Sequence, residues 1–165
     1  MRVRIVVLAL AVGLVGGCSK QSPEQLYAAA EQLAAEPAKR LEARAQFDEF
    51  LTRYAGHPLT PQVLKQLAML DQQDGKIDLA ISRYEQLLRR FPQSDQADEA
   101  QFMIAFISEE YLKDFDRARQ AYQAVIDKYP NSELAASARR LLPNVGRDPE
   151  EWVEFEDVSQ AAGTR

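Results

Sequence analysis

Apolar residues recur along the chain at i, i+4, i+7, i+8 and i+11. Ala80, Tyr84, Leu87, Leu88 and Phe91 form one such set, and Ala118, Tyr122, Val125, Ile126 and Tyr129 form another. That spacing gathers them on one side of an α-helix, and no alternation of apolar and polar positions competes for a strand. The pattern and its punctuation predict helices near residues 23–35, 39–54, 60–73, 77–91, 95–112, 115–129 and 132–142. Ser22-Pro23-Glu24-Gln25 offers an N-cap, a proline at the first helical position and a capping-box glutamine. Asp74-Gly75 supplies a turn in which glycine can take positive φ, and Ser94 and Ser132 stand as N-caps behind Pro92 and Pro130.

The two sets belong to a repeat. Asp78, Ala80, Tyr84, Phe91, Pro92, Ser94, Ala97 and Ala100 return 38 residues later as Asp116, Ala118, Tyr122, Tyr129, Pro130, Ser132, Ala135 and Ala138. A fainter copy lies 37 residues upstream at Ala43, Phe47, Phe50, Leu51 and Tyr54, with Ala55 in place of the proline. A small residue, an aromatic four positions on and a proline eight beyond is the tetratricopeptide spacing. Leu67-Ala68, Gly75, Ala80, Tyr84 and Pro92 meet it. In the following unit Ile104 and Ala105 stand one residue further from Ala118, which puts one extra residue in its first helix or its turn. Ala68 and Ala80, or Ala105 and Ala118, let two antiparallel helices approach closely, while Tyr84 and Tyr122 fill the wedge toward the next helix. One hairpin cannot bury its own apolar face, so several must stack. The expected fold is all-α, a tetratricopeptide-like α-solenoid of about three helical hairpins plus a terminal helix.

Composition changes the picture mainly at the N-terminus. The 165 residues hold 20 Lys plus Arg against 25 Asp plus Glu, a charge of -5 that does not point to nucleic acid. Arg2 and Arg4 precede an uncharged apolar run, Ile5 to Val15, then Gly16, Gly17 and the single cysteine, Cys18. This is the layout of a secretory signal, and it ends well short of the roughly 20 apolar residues needed to span a bilayer. Without residues 1–17 the chain keeps 18 basic and 25 acidic residues, a charge of -7. Division follows: 1–17 a signal peptide, 18–22 a linker, 23–142 the repeat domain and 143–165 an acidic tail.

Val15-Gly16-Gly17-Cys18 resembles the lipobox of bacterial lipoproteins. The resemblance implies cleavage before Cys18 and covalent diacylglycerol and N-acyl lipid on it, an anchor of several acyl chains at about 0.8 kcal/mol per buried methylene. Ser19 stands where an aspartate favours inner-membrane retention in such proteins, which implies the outer membrane. With lipobox and repeats together, the chain resembles the tetratricopeptide lipoproteins of the Gram-negative envelope. Phe91-Pro92-x-Ser94-x2-Ala97-x2-Ala100 and its copy from Tyr129 to Ala138 look like repeats of BamD-type lipoproteins of β-barrel assembly, and are similar to CpoB-type repeats. BamD-type chains carry about five repeats where this one has room for three. The resemblance implies a lipid-anchored, periplasm-facing scaffold at the outer membrane, in or beside β-barrel assembly. The alternative it implies is an adaptor coordinating peptidoglycan synthesis with envelope constriction.

Candidate chemistry is sparse. His57 is the only histidine and no thiol remains free once Cys18 is lipidated, so neither nucleophilic catalysis nor a zinc or copper site has its parts. The few glycines form no phosphate loop. A lytic transglycosylase would need a buried glutamate; Glu109-Glu110 nominally qualifies, but the Glu-Ser pair of that family is absent. No enzyme, metal, cofactor or small-molecule substrate is expected. Solenoids of this type bind peptides along their first-helix faces, and the repeat register puts Lys65, Met69, Gln72, Phe102, Phe106 and Glu109 there. Phe102 and Phe106 share a face, which is an open hydrophobic site, packed between hairpins, or covered by the terminal helix or the tail. The tail sets Trp152 and Phe155 among Asp148, Glu150, Glu151, Glu154, Glu156 and Asp157, a composition suited either to docking a partner peptide or to packing back on the last helix of the solenoid.

Overall fold

The computed structural model describes residues 21–147, which form seven α-helices: α1 (Pro23–Ala34), α2 (Arg40–Arg53), α3 (Thr60–Gln73), α4 (Ile77–Arg90), α5 (Ala97–Glu110), α6 (Phe115–Lys128) and α7 (Glu133–Leu141). Short 3-10 turns, Pro37–Lys39 and Leu142–Asn144, precede α2 and follow α7. The helices pair as α1/α2, α3/α4 and α5/α6, with α2 against α3, α4 against α5, and α7 closing the stack on α6 and α5. The expected all-α solenoid of three hairpins and a terminal helix is the fold. The expected signal segment, 1–17, and Cys18, Trp152 and Phe155 lie outside the described residues.

Local chemistry accounts for the helix ends. Ser22 accepts from the Gln25 N–H while Gln25 Oε1 accepts from the Ser22 N–H at 3.1 Å, a complete capping box. Ser132 caps α7 as expected, accepting from the Leu134 N–H at 3.0 Å. Ser94 does not cap α5. A turn through Ser94, Asp95 and Gln96 delays the helix to Ala97, and the Ser94 hydroxyl is buried without a partner. Gly75 takes the positive φ expected of it, +73°. Its counterpart 38 residues on is Lys113, at φ 53°, and the extra residue of this unit lies in the α5–α6 turn. The Lys76 N–H closes the first turn on the Asp71 carbonyl at 2.8 Å, and the Asp114 N–H closes the second on Ser108 at 2.9 Å.

Two apolar clusters meet at α3. Leu26, Ala30, Ala43, Phe47 and Phe50 of the first hairpin pack with Val63, Leu67 and Leu70 of α3. Leu64 and Ala68, on the other flank of α3, join Ala80, Tyr84, Ala105, Ala118, Tyr122, Ala135 and Val145. The four small residues at the helix crossings, Ala68, Ala80, Ala105 and Ala118, are each fully buried, and Tyr84 and Tyr122 are 1% exposed. Each hairpin thus borrows its neighbour's surface to complete its core. At the seam between the first two hairpins Asp71, with no exposed surface, receives Arg44 Nη1 at 2.5 Å and Arg83 Nε at 2.6 Å. Ser108 takes the equivalent place in the next hairpin and donates its hydroxyl to the Ile104 carbonyl at 2.7 Å.

Candidate functional site

The first helices of successive hairpins, α3 and α5, present one continuous side of the stack, and α7 extends it. On α5, Ala97, Ala100, Gln101, Ile104, Ala105, Ile107 and Ser108 face inward. At 100° per residue the opposite arc displays Glu109, Phe102, Phe106, Glu99 and Met103, in that order around the axis. Phe106 stands on the crest of this arc, 36% exposed, with its ring edge-on to exposed Tyr111 at 6.4 Å. Clefts flank the crest on both sides.

Between α3 and α5 a cleft of about 230 Å³ is lined by Met69, Gln72, Gln73, Tyr84, Glu99, Met103 and Tyr111. Two thioethers and two aromatic rings supply an adaptable apolar floor, and amides and a carboxylate supply hydrogen-bonding groups. Lys65 closes the N-terminal side by pairing with Glu99 at 2.8 Å. Burial holds the Tyr84 hydroxyl well above its ordinary pKa, and the charge of Glu99 adds to the effect, so this phenol stays neutral. Between α5 and α7 a second cleft of about 390 Å³ is lined by Phe102, Ser137, Arg140 and Leu141.

The six residues picked from the repeat register therefore do not form one site. Met69 and Gln72 share the α3/α5 cleft, with Lys65 at its edge. Phe106 is open on the crest. Phe102 turns to the α7 side, where it is half-buried, edge-on to Tyr122 at 5.4 Å. Glu109 is engaged structurally: Oε1 accepts from the Gly146 N–H at 3.2 Å, and its hydrogen bond and charge add to the burial that raises the Tyr122 pKa. The sequence reading missed Glu99, Met103 and Tyr111. The register pointed at one row of α5, whereas the cleft toward α3 is lined by the row one position further round, and Tyr111 reaches it from the turn.

The residues weighed for catalysis make structural contacts. His57 Nδ1 accepts from the Leu59 N–H at 3.2 Å, bracing the α2–α3 loop internally, and Nε2 faces Glu24 at 3.2 Å at the start of α1. Glu110 pairs with Lys113 at 3.6 Å. Among the described residues no group of three or more His, Cys, Asp or Glu is placed to hold a metal ion, and no helix is long and apolar enough to cross a membrane.

The tetratricopeptide repeat family matches residues 63–94 and 99–132, that is, the α3/α4 and α5/α6 hairpins. No curated protein matches the chain. The matched spans agree with the degenerate third copy, since α1 and α2 repeat the architecture with little of the signature.

Proposed function

We propose that this tetratricopeptide-type solenoid is a non-catalytic protein-interaction scaffold, lipid-anchored through Cys18 at the outer membrane, facing the periplasm, in or beside β-barrel assembly. Repeats of this type serve protein binding. The observation that carries the reading here is the α3/α5 cleft with exposed Met69, Phe106 and Tyr111 on its rim. An extended peptide could bury an apolar side chain between Met69 and Met103 and place its backbone against the Gln72 and Gln73 amides. The anchor fits this orientation. The Gln21 carbonyl accepts from the Tyr54 hydroxyl at 2.7 Å, so only Ser19 and Lys20 separate the lipidated residue from a fixed point on α2. Three residue steps reach about 10 Å, so an anchor on Cys18 would hold the first hairpin close to the membrane.

The test is in-cell photo-crosslinking from position 72 of the full-length lipoprotein, read by mass spectrometry, with and without Met69→Glu. The expected products are β-barrel assembly components, lost in the variant while its helical circular dichroism is retained. Products from cell-wall synthases or hydrolases would move the role to coordination of peptidoglycan and envelope growth. No product, or products indifferent to Met69→Glu, would refute the cleft as the partner site.

A further inference from the structure

The α5/α7 cleft has an occupant within reach on the same chain. After α7 the turn Leu142–Asn144 folds the backbone over the start of α6, where Val145 is buried and its carbonyl accepts from Arg119 Nη2 at 3.0 Å. Gly146, at φ +83°, lays its Cα beside the Phe115 ring and donates its N–H to Glu109. These contacts fix the exit point at the C-terminal turn of α5, on its α7 side. Eighteen residues follow Arg147.

Phe102 lies seven positions before Glu109, about 10 Å down the same face of α5. Trp152 lies six residues beyond Gly146, a reach of about 20 Å when extended, so the indole can enter the cleft with chain to spare. Charge agrees with reach. From Asp148 to Asp157 the tail holds six acids and no base, and Arg140 on the cleft wall pairs with no carboxylate among the described residues. We infer that Glu150 to Phe155 docks in the α5/α7 cleft, with the Trp152 ring against Phe102 and Leu141 and a flanking glutamate on Arg140. The docking does not rest on the scaffold role proposed above.

Trp152 is the only tryptophan, so the fluorescence of the mature full-length protein reports on it alone. The expected emission is blue-shifted and several-fold less quenched by acrylamide than a free indole, unchanged on dilution. Phe102→Ala and Arg140→Glu should each return it toward the solvated value. Arg140 is exposed, so its variant keeps the test valid even if Phe102→Ala perturbs folding. Solvent-like emission in the unmutated protein, or shielding indifferent to Arg140→Glu, would overturn the docking, as would shielding lost on dilution, which assigns the cleft to the tail of a second copy. Crosslinking from position 72 in Trp152→Ala separates the two readings. Shielded tryptophan without any partner refutes the scaffold alone; partner capture with a solvated tryptophan refutes the tail alone.

Discussion

Replacing Asp71 with alanine should separate the first hairpin from the rest of the stack. The carboxylate is fully buried and bridges Arg44 of α2 to Arg83 of α4, two guanidinium groups whose side chains are 15% and 16% exposed. Removing one partner of a buried ion pair costs about 3–5 kcal/mol, because the remaining charge stays desolvated without compensation. Here the lower end applies. Arg44 keeps Asp74 at 3.0 Å and Arg83 keeps Asp48 at 3.5 Å, and both retain some contact with water. A loss of about 3 kcal/mol corresponds to a melting temperature lowered by roughly 10 °C for a domain of this size. The location of the loss is the sharper expectation. In a repeat stack each unit is held by its own contacts and its neighbour's, so the first hairpin, with only one neighbour, should open first. Hydrogen exchange read by mass spectrometry should show protection falling across α1 and α2 while α5 and α6 change little. Asp71→Asn, which keeps shape and one acceptor, should fall between the two. A cost below about 1 kcal/mol, or a uniform loss of protection across all helices, would refute the seam as the origin of coupling.

Alkaline stability follows from Tyr84 and Tyr122, whose pKa values burial raises above the ordinary 10. A raised acid is stabilising while neutral, so the contribution is intact below pH 10 and is lost as pH rises above it, at up to roughly 1.4 kcal/mol per pH unit for each tyrosine. Urea midpoints from pH 8 to 11 should show this decline, and Tyr122→Phe should flatten it; an unchanged slope would count against the burial argument. The turn positions should rank in order: Lys113→Gly stabilises by about 0.5–1 kcal/mol by relieving positive φ, and Gly75→Ala destabilises by about 1 kcal/mol. Gly146→Ala should cost more than Gly75→Ala, since its added Cβ meets Phe115 at 3.0 Å; thermal melts showing the reverse order would contradict the turn geometry. Cys18→Ala should release the protein from membranes on fractionation, and continued membrane association of a signal-cleaved chain would remove the anchor.

Helix identity, the hairpin pairing and the crossing alanines could be read from the chain because each depends on neighbours within a few turns. Spacing by four and seven selects a helix face, a small residue at a crossing permits close approach, and Gly75 marks a turn that most residues resist. The same local logic failed at Ser94, where a three-residue turn competes with capping and delays the helix, and it left open where the extra residue near Lys113 would go. The site depended on more. Register placed Phe102 and Phe106 on one face, yet only the stacking of α3, α5 and α7 sends Phe102 into one cleft, leaves Phe106 on the crest and brings Met103 and Tyr111 to Met69. Glu109 and Asp71 look like ordinary helix acids in the sequence. One becomes a bracket for Gly146 and the other a buried bridge because partners 37 residues away, and 27 and 12 residues away, arrive beside them. Periodicity along a helix is set by backbone geometry that every residue carries with it. Contacts between helices are set by how side chains of different sizes let the hairpins settle against one another, and that exists only once the chain has folded.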